Sequence, residues 1–250
     1  MHAAPFSAAF LVVPRWHDAR MTEVARPLAD EVLTRLVRLF DAARDPLRAA
    51  EQSAYMRDQL PFLGLGAPTQ RALARSAVAG LPPPTEADLR TVALACWERD
   101  EREYQHFACD WLRTHIGVPG PDFLTTVRTL ITTKSWWDTV DALATRVVGG
   151  LVKRHPGLVG QMDAWSADPD MWLVRTALLH QMHFGTDTDI ERLFGYCTWQ
   201  AGHRDFFVRK AIGWALRQYA RTDPDAVRGY VSLNRDRLSP LSVREATKHL

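Results

Sequence analysis

Leu130-Ile131-Thr132-Thr133-Lys134-Ser135-Trp136-Trp137-Asp138-Thr139-Val140-Asp141 sets two adjacent indoles and two carboxylates in the first turns of one helix. Ser135 followed three residues later by Asp138 has the form of a capping box with Asp in the usual place of Glu, so the helix is expected to start at Trp136. Asp138 then has a structural task. Trp137 and Asp141 stand four apart, which puts an aromatic plate and a carboxylate one turn from each other on the same face. An acid beside a ring that stacks suits a cationic, planar, sugar-linked substrate.

Outward from this stretch the helical period hardly stops. Val24, Leu28, Val32, Leu36 and Leu39 or Phe40 recur at three- and four-residue intervals from Thr22 onward, whereas no segment alternates apolar and polar residues long enough to read as a strand. Breaks fall at Asp45-Pro46, Ala67-Pro68, Leu81-Pro82-Pro83-Pro84, Gly117-Val118-Pro119-Gly120-Pro121, His155-Pro156, Asp168-Pro169, Asp223-Pro224 and Ser239-Pro240. In four of them an Asp or Ser precedes Pro, a combination that caps a helix and opens its first turn. The chain reads as about a dozen helices of roughly 10–18 residues with short connections. Tyr55, Trp97, Trp137, Arg175 and Trp214 are separated by 42, 40, 38 and 39 residues, close to the roughly 40–47 residues of a HEAT-like helix pair. Landmarks in equivalent places of successive repeats would line one concave face of a superhelix. The expected fold is therefore all-α, an α-solenoid of HEAT-like repeats over residues 21–250, preceded by a poorly ordered extension at 1–20 that lacks a sustained period.

The composition, 46% hydrophobic and 24% charged over 250 residues, is that of an ordinary soluble globular chain with a sizeable core. No apolar run approaches the roughly 20 residues of a membrane span, and Ala8-Ala9-Phe10-Leu11-Val12-Val13 lacks the basic residues that precede a signal h-region, so a cytoplasmic location is expected. Cys96, Cys109 and Cys197 are odd in number and show no CxxC spacing, which points to buried thiols rather than disulfides or zinc. The net charge of +2 hides an uneven distribution: residues 201–250 carry ten basic and five acidic side chains. A basic final fifth on a nearly neutral protein suits one face meant for an anionic polymer, although a plain charged surface gives the same count.

Arg175 lies in an otherwise apolar capped helix, Asp168-Pro169-Asp170-Met171-Trp172-Leu173-Val174-Arg175-Thr176-Ala177. There it either reaches a carboxylate or faces a groove where a phosphate binds its fork. Trp214 follows Gly213 inside a helix, at a cost of about 1 kcal/mol against alanine, so something must come close: core packing or a ligand. Arg209, Lys210, Arg217 and Arg221 fall at helical spacing, and Arg244 and Lys248 form an i, i+4 pair; each is a phosphate contact or a solvated surface cation. His180 and His183 lack an acidic or cysteine partner at ligand spacing, so neither they nor any other cluster indicates a metal. Glu101 and Glu103 read as first-turn helix charges.

Taken together these segments resemble the AlkD-like DNA alkylation repair family, helical-repeat DNA glycosylases that act on alkylated purines. The matching pieces are Tyr55-Met56-Arg57-Asp58 through Phe62-Leu63-Gly64, Thr133 to Asp141, Trp172 to Ala177, Phe206-Phe207-Val208-Arg209-Lys210-Ala211-Ile212-Gly213-Trp214-Ala215-Leu216-Arg217, and Leu238-Ser239-Pro240-Leu241-Ser242 to His249. They cover about residues 50–250 in order. The resemblance implies that Asp141 is the catalytic carboxylate, Trp137 and Trp214 the flanking indoles, and Arg175 the groove arginine on a backbone phosphate. Tyr55, Lys134, Arg209, Lys210, Arg217, Arg244 and Lys248 join Arg175 as residues expected on the DNA. It also implies a damaged base left stacked on the duplex rather than extruded into a closed pocket. Near Gly64-Leu65-Gly66, where relatives carry a polar side chain, this sequence has Gly66, so a DNA contact is expected to be missing there. The family includes members that bind DNA without excising a base; the presence of both Trp137 and Asp141 argues for activity.

The chemistry fits those residue types. A purine alkylated at N3 or N7 is cationic and already a good leaving group, so the demand falls on the sugar, which becomes oxocarbenium-like as the glycosidic bond breaks. A fixed carboxylate stabilises that charge and positions water. Neither metal nor organic cofactor is expected, and the expected partner is duplex DNA with alkylated bases, bound by a monomer. The rival expectations are a helical-repeat protein that binds distorted or branched DNA without catalysis, and an α-solenoid scaffold that grips a protein partner.

Overall fold

The computed structural model describes residues 27–250, so the expected extension at 1–20 and the helical onset at Thr22 and Val24 lie outside the described residues. From Pro27 the chain folds into helices, and no strand occurs among the described residues. In order they are α1 (Pro27–Asp41), α2 (Pro46–Tyr55), α3 (Ala67–Val78), α4 (Glu86–Glu98), α5 (Arg102–Thr114), α6 (Phe123–Thr132), α7 (Trp137–Ala142), α8 (Gly149–Arg154), α9 (Val159–Trp165), α10 (Met171–Leu179), α11 (Ile190–Trp199), α12 (Phe206–Tyr219), α13 (Pro224–Leu233) and α14 (Pro240–Ala246). A π-helical stretch, Leu143–Val148, joins α7 to α8. Several of these helices are shorter than the sequence period suggests, because Pro and Gly interrupt it so often.

Three of the four Asp-Pro and Ser-Pro breaks cap a helix as expected: Asp45 accepts from the Arg48 N–H, Asp223 from Ala226 and Ser239 from Ser242. Asp168-Pro169 does not. There Asp170 is the cap, accepting from the Trp172 N–H at 2.8 Å, while Asp168 accepts from the Asp170 N–H. Two carboxylates so close compete for the same donors, and the one nearer the helix wins.

Packing runs from neighbour to neighbour: α1 lies on α3 and α4, α4 on α5 and α6, α10 on α6, α7 and α12, and α12 on α13 and α14. This is the layering of an α-solenoid-like helical repeat. Val32, Leu36 and Phe40 of α1 are fully buried, and one continuous apolar cluster extends from Ala29 to Ala246. Cys96, Cys109 and Cys197 are free and buried; burial pushes the Cys96 thiol up to about 12. No helix among the described residues is long and apolar enough to cross a membrane.

Two acids have heavier duties than first-turn charges. Glu103 is buried and accepts the backbone N–H groups of Leu63, Gly64 and Leu65 at 2.9–3.0 Å, fixing the loop before α3. Glu101 pairs with Arg44 at 2.6 Å. Gly64 has φ +90°, and a Cβ there would sit 2.0 Å from the Asp45 carbonyl oxygen, so only glycine lets the loop lie against α2. Gly66 precedes α3 with the Arg48 guanidinium against it, 2.5 Å from where a Cβ would stand. Its place is thus taken up by an arginine of the chain itself.

Candidate active site

The turn into α7 is built differently from a capping box. Ser135 Oγ donates backward to the Ile131 carbonyl at 2.6 Å, Trp136 holds the N-cap position, and α7 starts at Trp137. Asp138 is instead taken by α5: Arg102, wholly buried, reaches both its oxygens at 2.9 and 2.6 Å, and His106 Nε2 lies 2.6 Å from Oδ2. Arg102 also donates to Gln105, to the Lys134 carbonyl and to Thr139 Oγ1. Burial works to raise the Asp138 pKa, but the bonds from Arg102 and His106 outweigh it and hold the carboxyl well below the usual range. Lys134 sits in the left-handed region at φ +49°. Its amine donates to the Glu98 and Arg99 carbonyls and approaches Asp100 at 3.3 Å. It closes the C-terminal end of α4 rather than pointing free toward a phosphate.

Asp141 meets α10. Arg175 Nε and Nη2 reach its two oxygens at 2.7 and 2.8 Å, while Nη1 donates to the Phe207 carbonyl at the start of α12. Arg175 is 1% exposed, whereas 18% of the Asp141 side chain remains open. This corrects the expected phosphate grip, since a sealed guanidinium with two partners holds the carboxylate in place. Burial pushes the Asp141 pKa up, the Arg175 bonds and charge pull it back, and the nearby Asp138 charge adds to the rise.

Above the pair lies a groove of about 780 Å³, open to solvent and lined by Tyr55, Arg57, Trp136, Trp137, Arg175, Phe206, Phe207, Lys210 and Trp214. The Trp214 ring lies 5.3 Å from the Arg175 guanidinium carbon and 5.8 Å from Lys210 Nζ. Trp136, Trp172 and Phe207 pack edge-on or tilted at 5.0–6.0 Å. Four of the five spaced landmarks therefore share one wall. Trp97 does not: it is buried and its indole N–H donates to the Thr133 carbonyl, propping the turn from below.

The remaining cations divide. Lys210 and Arg217 both pair with Glu245 at 2.7 and 2.8 Å, tying α12 to α14. Arg209 is half-buried with its Nε on the Asp205 carbonyl, and Arg221, Arg244 and Lys248 are exposed. Tyr55 is 75% exposed at the groove's edge. Beside it Arg57 and Asp58 both take positive φ, 59° and 54°, a strained pair at the rim. Gly213 makes room for α14, not for a ligand: a Cβ there would meet the Glu245 Cβ at 2.4 Å. Among the described residues no cluster of His, Cys, Asp and Glu has the makings of a metal site. His180 is buried, bonded through Nδ1 to the Ala177 carbonyl and pushed down to about 4 by burial, so it is a neutral core residue. Sequence reasoning missed Arg102, Trp136, Phe207 and Glu245. Arg102 alone left a trace, standing 36 residues before Asp138 as Arg175 stands 34 after Asp141.

A helical-repeat body thus backs an aromatic, partly cationic groove with a buried carboxylate–guanidinium pair. The chain belongs to the DNA alkylation repair enzyme family, whose model matches residues 36–250. A solved structure of a predicted DNA alkylation repair enzyme from Enterococcus faecalis is 30% identical, with a TM-score of 0.76 over 83% of this chain and 96% of that one. No curated protein matches.

Proposed function

We propose that the protein is a DNA glycosylase that removes cationic N3- and N7-alkylated purines from duplex DNA. The observation that carries this reading is the Asp141–Arg175 pair set behind a groove walled by Trp137 and Trp214. An alkylated purine leaves with the bonding electrons and becomes neutral, so positive charge moves onto the deoxyribose as the C1′–N bond breaks. Asp141 faces that charge. Each carboxylate oxygen carries more than one acceptor site, so one bond apiece from Arg175 leaves both able to hold the attacking water. Trp137 and Trp214 present electron-rich faces to the cationic base and sugar, each contributing about 0.5–2 kcal/mol. Arg175 acts through Asp141, keeping it oriented.

In a single-turnover assay on methylated duplex, Asp141→Asn should cut release of 7-methylguanine by orders of magnitude while leaving duplex affinity nearly unchanged; wild-type-like release refutes the assignment. The full pairing of Asp141 favours a second reading, a duplex binder that recognises distortion without chemistry. That protein would retain duplex yet release no base even as wild type.

A further inference from the structure

A second trough lies between α3, the Leu81–Pro84 turn and the C-terminal half of α5, with about 1210 Å³ of open space and no residue in common with the groove above Asp141. Its floor and walls are apolar, with Val78 and Trp111 below and the Pro82-Pro83-Pro84 run on one side. Arg71 and Arg75 stand one helical turn apart on its rim, exposed and without a carboxylate partner among the described residues. Arg113 completes the rim, already paired with Asp110 at 3.2 Å. Trp111 is 6% exposed, its ring stacked on Phe107 at 6.0 Å, and its buried indole N–H has no acceptor among the described residues.

We propose that this trough binds an acidic segment of a partner protein, one that presents a large apolar side chain between carboxylates. Charge sets the sign of the occupant, since the rim offers two unneutralised guanidinium groups that match carboxylates in fork geometry. The interior sets its chemistry. Apolar walls reward a Leu- or Phe-like side chain. The proline wall has no backbone N–H groups to add a strand to, so recognition runs through side chains, and its rigidity spares the groove an ordering cost. Nucleic acid fits worse: phosphates would be desolvated against Val78 and proline, and the Trp111 face is already covered by Phe107, so no base stacks there.

The test is fluorescence anisotropy of full-length protein with labelled short peptides in which Asp and Glu alternate with Leu, Phe and Trp, against a matching set with Lys in place of the acids. Saturable, salt-sensitive binding of the acidic set alone is expected. It should weaken about tenfold or more in Arg71→Glu combined with Arg75→Glu, which reverses two exposed charges and leaves the core alone. Val78→Asp, checked for folding by circular dichroism, should weaken it likewise. A labelled DNA duplex should bind all three proteins alike. Absence of peptide binding, or binding equal in the variants, overturns the proposal. So does loss of duplex affinity in the arginine variants, which would make the trough part of the DNA footprint. Concentration-dependent dimers abolished by Val78→Asp would assign the trough to a second copy and overturn it equally.

Discussion

Arg175→Met and Asp141→Leu, singly and together, test whether the two side chains hold one another in solution. Arg175 is almost sealed and Asp141 keeps 18% of its side chain open. Removing one partner of a buried pair costs about 3–5 kcal/mol, and the exposed edge of Asp141 places each single variant near the lower end, about 3 kcal/mol. Arg175→Met also removes the second donor on the Phe207 carbonyl, which keeps its bond within α12 and so adds little to that cost. Replacing both by apolar side chains of similar volume leaves no charge uncompensated, so the double variant should lose well under the sum of the two, with a coupling of about 2–3 kcal/mol. Urea midpoints followed by circular dichroism near neutral pH measure all four corners. Additivity within about 0.5 kcal/mol would mean that the pair is not formed in solution and that the guanidinium is free for a phosphate. The salt dependence of duplex affinity adds a second check: the buried arginine predicts an unchanged slope in Arg175→Met, where a phosphate contact predicts a slope flatter by about one ion.

Arg102→Ala leaves Asp138 with His106 alone and releases Thr139 and the Lys134 carbonyl, so it should cost about 3 kcal/mol, read as a lowered urea midpoint; a midpoint within experimental error of wild type would refute the clamp. Asp138 has a folded-state pKa below its unfolded value, so its contribution is complete above the unfolded value of about 3.9 and is lost as pH falls through and below it. Stability measured against pH should drop in that acid window, and the drop should shrink in Asp138→Asn. Gly213→Ala pushes a methyl against Glu245 and Ser242, so it should destabilise by about 1–3 kcal/mol and lower the melting temperature; a neutral effect would mean α14 moves aside freely.

The fold was legible because its signals are local. Asp45-Pro46, Asp223-Pro224 and Ser239-Pro240 carry their caps within three residues, and the three- and four-residue period of Val32, Leu36 and Phe40 marks the buried face of α1. Of the residues singled out in the sequence, Trp137, Arg175 and Trp214 line one groove, and Asp141 joins them through its pair with Arg175. Their partnerships were not legible, because each is decided across helices: Ser135 and Asp138 have capping-box spacing, yet a buried arginine outbids a backbone N–H for the carboxylate. Lys134, Lys210 and Arg217 count as free cations in composition, and only the packing of α4 against the turn and of α12 against α14 shows what they hold. Gly213 announced a close approach but not its identity.

The short α7 explains why two carboxylates three residues apart lead different lives. Six residues are too few to make a stable helix alone, so its position is imposed by what grips it. Three residues turn an α-helix by roughly 300°, so Asp138 and Asp141 leave the axis about 60° apart. That divergence lets one reach back to Arg102 on α5 and the other forward to Arg175 on α10. The π-helical stretch begins two residues after Asp141, and Thr145 within it donates to the Asp141 carbonyl at 2.8 Å. Irregular turns of this kind often mark working sites, where they re-aim the residues beside them. The two environments then separate the acids: bonds from Arg102 and His106 overcome burial at Asp138, while burial prevails at Asp141. One carboxylate ties the helix to α5, and its neighbour, bonded by Arg175 through both oxygens, ties it to α10 while keeping 18% of its side chain open.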